Sequence, residues 1–408
     1  MNLKALAAAL ALLSLAPAAS AQDAGVSPSD RARIQRILRA TPLIDGHNDL
    51  PWAIRDDHGG RLEDIDLTRD TRTLTPPLQT DIPRLRAGGV GAQFWSVYVP
   101  ASLKGLDSTQ AVYEQIDLAH RIIARYPRVF EFADSAADIV RIHRAGRVAS
   151  MFGIEGGEAI NENLALLRQF RRAGVLYMTL THSTTIGWVD SATDAPRNGG
   201  LSPFGEQVVQ EMNRIGMLVD LSHVSAEAMR DALRVSRAPV IFSHSSAFAL
   251  DQHPRNVPDD VLQLVRQNGG VVMVNFNAGF VSEEFRQWNG RRSGEEQRQK
   301  NLNPGDPAAA AAGLAEWERA NPKPVVTVQQ VADHIEHIVQ VCGHDCVGFG
   351  GDYDGVTDLP RGMEGVDGYT PVLAELMRRG WSDADLAKLA GGNLLRVLRR
   401  AEAVAGGR

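Results

Sequence analysis

Two cysteines in 408 residues are too few for a scaffold built on disulfides, so the chain must fold on an apolar core. Basic charge is also scarce, with 43 Lys and Arg against 49 Asp and Glu and a net charge of -6. Without a basic excess there is no electrostatic footprint for nucleic acid or another extended polyanion. Beyond residue 21 no apolar run is long enough to cross a bilayer. No Gly-x-Gly-x-x-Gly follows the first strand-like run, which removes the dinucleotide fingerprint of an open, doubly wound sheet.

What is present is an ordinary globular balance, 44% hydrophobic and 23% charged, on a chain long enough for one large core. The N-terminus has a short positive region ending at Lys4, an apolar run from Ala5 to Ala16, and the small-x-small site Ala19-Ser20-Ala21. That order predicts a signal peptide over residues 1–21 and a periplasmic or secreted mature chain. A membrane anchor is the alternative, but the apolar run is short and no cysteine follows the cleavage site for lipid attachment. The two cysteines stand in Cys342-Gly343-His344-Asp345-Cys346, where a disulfide and two free buried thiols are both open.

Apolar strand-like runs alternate with amphipathic helical stretches along the chain. Strands are expected at 43–45, 90–99, 148–154, 176–181, 218–221, 240–243, 271–276 and 347–350. Helices are expected at 31–39, 110–126, 135–144, 163–173, 205–215, 226–235, 259–267, 328–341, 370–379 and 383–404, with Ser225 as a capping residue. Eight buried strands alternating with helices predict a parallel sheet closed into a single (β/α)8 barrel, residues 22–408. Residues 56–86 read as a long connection and residues 283–324 as an insertion.

Six of the eight expected strands run into an ionisable residue at their C-terminal end. His47 and Asp49 follow the first, Glu155 the third, His182 the fourth, His223 the fifth, His244 the sixth, and Asp352 with Asp354 the eighth. Each alone reads as a hydrogen-bonded loop residue. A barrel gathers all of them on one rim, where that many imidazoles and carboxylates need a cation to be satisfied. Five ligands, His47, Asp49, Glu155, His223 and His244, are more than one open zinc site uses, so two ions bridged by Glu155 and a hydroxide are expected. Such a pair suits hydrolysis of an amide or ester. His334 and His337 are placed on a solvent-flanking helix face, and Asp45 as a buttress of the first strand.

Seven segments in order carry a resemblance: residues 44–52 (IDGHNDLPW), 153–157 (GIEGG), 180–183 (LTHS), 220–225 (DLSHVS), 242–246 (FSHSS), 255–260 (RNVPDD) and 350–355 (GGDYDG). Together they resemble the membrane dipeptidase (renal dipeptidase) family of the amidohydrolase superfamily. The resemblance implies a dipeptidase with two zinc ions on a (β/α)8 barrel, His47 and Asp49 on one ion, His223 and His244 on the other, and Glu155 between them. It further implies that His182 contacts the scissile carbonyl, that Arg255 holds the C-terminal carboxylate, and that Asp352 orients the hydroxide and passes a proton to the leaving amine. Small dipeptides are then the substrates, and a homodimer is a common state in the family. The alternative is a related binuclear amidohydrolase acting on N-acyl amino acids, lactams or other small amides. Residues 283–324 and the absence of a hydrophobic C-terminal signal depart from the shorter, lipid-anchored family members.

Overall fold

The computed structural model describes residues 25–406. The expected signal peptide lies outside the described residues. The parallel strands are β1 (Leu43–Asn48), β2 (Val90–Ser96), β3 (Phe130–Phe132), β4 (Val148–Glu155), β5 (Val175–Thr179), β6 (Leu218–Asp220), β7 (Ile241–Phe242), β8 (Val271–Val274) and β9 (Val347–Phe349). Their order is β2-β1-β9-β8-β7-β6-β5-β4, and β2 pairs with β4 to close the barrel. The eight barrel strands are those expected from the sequence. β3 is an addition: it pairs with Val148–Ser150 of β4, below the point where β5 begins its pairing at Phe152.

Along the strands successive residues face opposite ways, and the two sides build two cores. Phe94, Met151, Tyr177, Ile241 and Met273 belong to the cluster that fills the barrel. Their neighbours Trp95, Phe152, Met178, Phe242 and Val272 belong to the cluster under the surrounding helices. Both sides of each of the eight barrel strands are buried, which is why the runs read as continuously apolar. Helices alternate with strands, and several begin on polar caps; Ser225 accepts from Ala228 N at 3.2 Å, as its sequence position suggests.

The structure fills in the two long segments and corrects one sequence expectation, the placement of His334. Residues 283–324, expected as an insertion, contain a helical hairpin, Glu283–Leu302 and Pro307–Ala320. The first of these helices has almost no apolar face, and spaced ion pairs such as Arg292–Glu296 and Lys300–Glu296 support it instead. Residues 56–86 hold short helical turns and the helix Ile82–Ala87. His334 is buried rather than solvent-flanking: its Nδ1 accepts from Ala247 N at 3.0 Å and its Nε2 reaches Val281 O at 3.0 Å. The reason is that the Val328–Cys342 helix is covered on two sides, by Asp259–Asn268 and by Ala278–Val281. His337, on the same helix, is half-buried against Asp259 Oδ1 at 2.7 Å. Cys342 and Cys346 are joined as a disulfide. No helix among the described residues is long and apolar enough to cross a membrane.

Candidate metal centre

The C-terminal ends of β1, β4, β6, β7 and β9 converge on one point. Glu155, the last residue of β4, stands at the middle: its Oε1 is 2.8 Å from His223 Nε2, 3.3 Å from His244 Nε2 and 4.0 Å from His182 Nε2. Its Oε2 is 3.5 Å from His47 Nε2, which lies 3.1 Å from Asp49 Oδ2. Three overlapping triads have ligand atoms within 4.8 Å of one another: His47, Glu155 and His244; Glu155, His182 and His223; His47, Asp49 and Asp352. The sequence-predicted ligands are therefore brought together. Asp352, expected as a proton carrier, also stands within reach of the His47 side.

The backbone is bent to make this possible. His223, Asp352 and Asp354 hold positive φ, at 72°, 61° and 64°, a conformation that non-glycine residues adopt at a cost. Gly355 is required by close approach: a Cβ there would lie 2.3 Å from Asp49 Oδ2 and 2.7 Å from Asp352 Oδ1. Gly153 leaves room for the Tyr177 ring, which a Cβ would meet at 2.0 Å.

The donor set fits a cation. His47 Nε2 and Asp49 Oδ1 are buried without a hydrogen-bond partner. His223 Nε2 and His244 Nε2 approach to 2.8 Å, so the two nitrogens converge on the same space. Burial pushes both of these imidazoles well below their ordinary range, aided at His223 by the Arg255 charge and at His244 by His47. Burial would raise the Glu155 carboxyl, but His47, His182, His223 and His244 outweigh it and hold Glu155 well below the usual range. Neutral imidazoles beside an ionised carboxylate are the state a cation needs. His47 goes the other way: burial opposes its charge, yet Tyr177, Asp49 and Glu155 hold it up. Loading an ion there displaces a proton.

Arg255 is buried and makes no ion pair. Its Nη1 donates to Ser245 Oγ at 3.3 Å and its Nη2 to His244 O at 3.2 Å, while Nε has no partner. The guanidinium carbon lies 5.3 Å over the Phe280 ring. Burial lowers its pKa to about 10 against the opposing pull of Asp352, Glu155 and Asp220. Asp352 is pushed up to about 7, chiefly by burial, with His47 pulling down and Asp49 and Glu155 pushing up. His182 is the more open histidine, stacked edge-on to Tyr98 at 5.0 Å and 4.4 Å from the His223 ring.

Several residues around the centre were not singled out in the sequence. Asn275 Nδ2 donates to Asp352 Oδ2 at 2.8 Å, and Tyr177 OH meets His47 Nδ1 at 2.9 Å. Ser243 Oγ meets His244 Nδ1 at 2.8 Å. Ser243 is visible in the sequence as the neighbour of a ligand; Tyr177, on β5, and Asn275, just after β8, adjoin none of the expected metal ligands and give no signal. Asp45 does buttress β1, accepting from His47 N at 3.0 Å, Gln93 Nε2 at 2.7 Å and Gly351 N at 2.6 Å, and it touches no ligand ring.

Comparison with known proteins agrees with this geometry. The family model described as membrane dipeptidase (peptidase family M19) matches residues 31–407. Dipeptidase 3 of Rattus norvegicus is 39% identical over 382 residues, 92% of this chain and 68% of that protein. Among solved structures, the probable dipeptidase PvdM from Pseudomonas aeruginosa superposes with a TM-score of 0.76 at 23% identity, covering 93% of this chain and 100% of that one. A metallopeptidase from Rhodobacter sphaeroides, liganded with a phosphinate mimic of the dipeptide L-Ala-D-Ala, has a TM-score of 0.69 at 24% identity, covering 88% and 99%. A cluster of imidazoles around one carboxylate at the rim of a closed barrel, in a chain matched almost end to end, leads to one assignment: the chain belongs to the membrane dipeptidase family, peptidase family M19, and is a metallo-dipeptidase.

Proposed function

We propose that the protein hydrolyses dipeptides bearing a free C-terminal carboxylate, with two zinc ions held by His47, Asp49, Glu155, His223 and His244. The observation that carries the substrate class is Arg255, a buried guanidinium beside the metal ligands with no carboxylate of its own. A buried charge left unpaired is costly, and a planar fork of donors matches a carboxylate, so a substrate carboxylate is the natural partner. Bound zinc supplies Lewis acidity and an activated water for attack on the amide.

The remaining steps belong to side chains. Arg255 fixes the distal end of the substrate and thereby limits its length. His182, partly exposed at the rim, donates to the carbonyl oxygen as charge develops there. Asp352, with a pKa near neutrality, takes a proton and returns it to the leaving amine. Asn275 keeps one Asp352 oxygen occupied, leaving Oδ1 for that exchange. The N-terminal pattern of residues 1–21 supports an exported enzyme.

The test is a substrate panel on zinc-loaded protein: L,L and L,D dipeptides, their C-terminal amides, and N-acetyl amino acids. Turnover of free-acid dipeptides, with amides at least tenfold poorer in kcat/KM, is expected. Equal turnover of acid and amide would remove the Arg255 role, and turnover of N-acetyl amino acids alone would move the protein to another amidohydrolase activity.

A further inference from the structure

Both rings that lie deepest in the centre, His47 and His244, make a hydrogen bond through Nδ1, and in both cases the partner is a hydroxyl. A hydroxyl has one proton and can act as donor or acceptor, so the partner alone does not fix the imidazole tautomer. The second neighbour of each hydroxyl does. Tyr177 OH donates to Gly46 O at 3.1 Å, and a carbonyl can only accept. With its proton spent there, Tyr177 must accept from His47 Nδ1–H.

On the other side the device is a carboxyl group. Asp220, the last residue of β6, is fully buried and collects four donors. Its Oδ1 accepts from Ser222 N at 3.1 Å and Ser243 N at 2.8 Å. Its Oδ2 accepts from Thr179 Oγ1 at 2.5 Å and Ser243 Oγ at 2.6 Å. The carboxylate staples the ends of β5, β6 and β7. With four donors already directed at its two oxygens, Asp220 acts only as an acceptor, so Ser243 spends its proton on Asp220 and must accept from His244 Nδ1–H.

We propose that Asp220, acting through the Ser243 hydroxyl, is a positioning residue that locks His244 as the Nδ1–H tautomer, leaving the Nε2 lone pair free for the ion space it shares with His223. Such outer partners of metal-binding histidines are worth about 10–100-fold in metal affinity. The proposal rests on the reading of His244 as a metal ligand. Its test reads the tautomer in metal-free protein, so failure of the dipeptidase reading and failure of this one give different results.

Asp220→Asn is the diagnostic change. An asparagine that keeps its oxygen on the two backbone amides turns its NH2 toward Thr179 and Ser243. Ser243 then accepts from the amide and swings its own proton onto His244 Nδ1, which forces the proton of the ring onto Nε2. The experiment labels histidine with 15N and compares the tautomer pattern of His244 in metal-free wild-type, Asp220→Asn, Ser243→Ala and Ser243→Thr proteins. Metal retention is measured alongside, by metal content after dialysis against graded chelator.

Wild type is expected as Nδ1–H, Asp220→Asn as Nε2–H, with one of two ions held about 10–100-fold more weakly and the other unchanged. Ser243→Ala is expected to show both tautomers, and Ser243→Thr, which keeps the hydroxyl, to restore Nδ1–H. An Nδ1–H pattern in folded Asp220→Asn overturns the proposal. If Asp220→Asn does not fold, Ser243→Ala decides: a single Nδ1–H tautomer there overturns it, and a mixture that Ser243→Thr abolishes supports it.

Discussion

Nε2 of His223 and Nε2 of His244 lie 2.8 Å apart, contributed by strands whose ligand residues are 21 positions apart in the chain. Two neutral nitrogens at that separation can share one proton as donor and acceptor, and with Glu155 Oε1 beside both they also form a donor set for a shared cation. Removing metal should therefore cost stability as well as activity. An ion at 100 times its dissociation constant stabilises a folded site by about 2.7 kcal/mol. Treatment with chelator is expected to lower the melting temperature by several degrees, and zinc to restore it; a melting curve indifferent to chelator would count against a metal centre.

Asp352→Asn should separate proton transfer from metal binding. The amide retains a side-chain oxygen and the approximate shape of the carboxyl but cannot carry the proton. The expected result is two ions retained and kcat reduced about 10²–10⁴-fold, the range for loss of a general acid or base. Collapse of metal content instead would make Asp352 a ligand, which its place in the triad with His47 and Asp49 permits.

Arg255→Lys should weaken recognition of the substrate's carboxylate end. The ammonium keeps the charge but loses the fork, and Ser245 and the His244 carbonyl lose their donors. KM for free-acid dipeptides is expected to rise about 10–100-fold, the equivalent of one or two charge-assisted hydrogen bonds, with little change for C-terminal amides. Steady-state kinetics on matched acid and amide substrates measure it. A uniform loss on both would assign Arg255 a structural role.

Gly153→Ala should be strongly destabilising although it adds one methyl group. The new Cβ would fall 2.0 Å from the Tyr177 ring, inside a barrel with no slack. Overpacking of this kind costs about 1–3 kcal/mol or more, and a displaced Tyr177 would also release His47. Thermal denaturation and metal content read the two effects separately.

The pH dependence of stability should carry a mark from Asp251, outside the metal ligands. Burial pushes this carboxyl up to about 7 and Glu283 adds to the rise, while His253 N and Arg286 oppose it. An acid whose folded pKa lies above its unfolded value binds more protons when folded, so its contribution falls as pH rises from about 4 to about 7. Asp251→Asn removes that titration. The variant's melting temperature is expected to gain on wild type between pH 5 and pH 8; parallel curves would refute it.

Much of this architecture was legible because barrel strands buried on both faces leave continuous apolar runs, and because ligands sit at strand ends where a run stops. His47, Glu155, His223 and His244 are of that kind. β3 is invisible because three residues, Phe130-Glu131-Phe132, are too short a run to establish a period. The hairpin after Glu283 was missed because a helix held by ion pairs rather than by an apolar face has no hydrophobic stripe to read. His334 was misplaced because the sequence shows one helix face at a time and not the second element that covers it. Tyr177 and Asn275 contribute through partners that are distant in sequence, His47 and Asp352, and only the folded chain pairs them.

Closure of the sheet through β2 and β4 also bears on how the chain behaves when crowded. A closed sheet presents no row of free N–H and C=O groups for another chain to extend. Among the described residues the open strand edge is β3, three residues long. Its middle residue, Glu131, is paired to Arg141 and Arg147, so even that edge is charged and short. Edge-to-edge association of the native state is therefore disfavoured at the one edge these strands leave open.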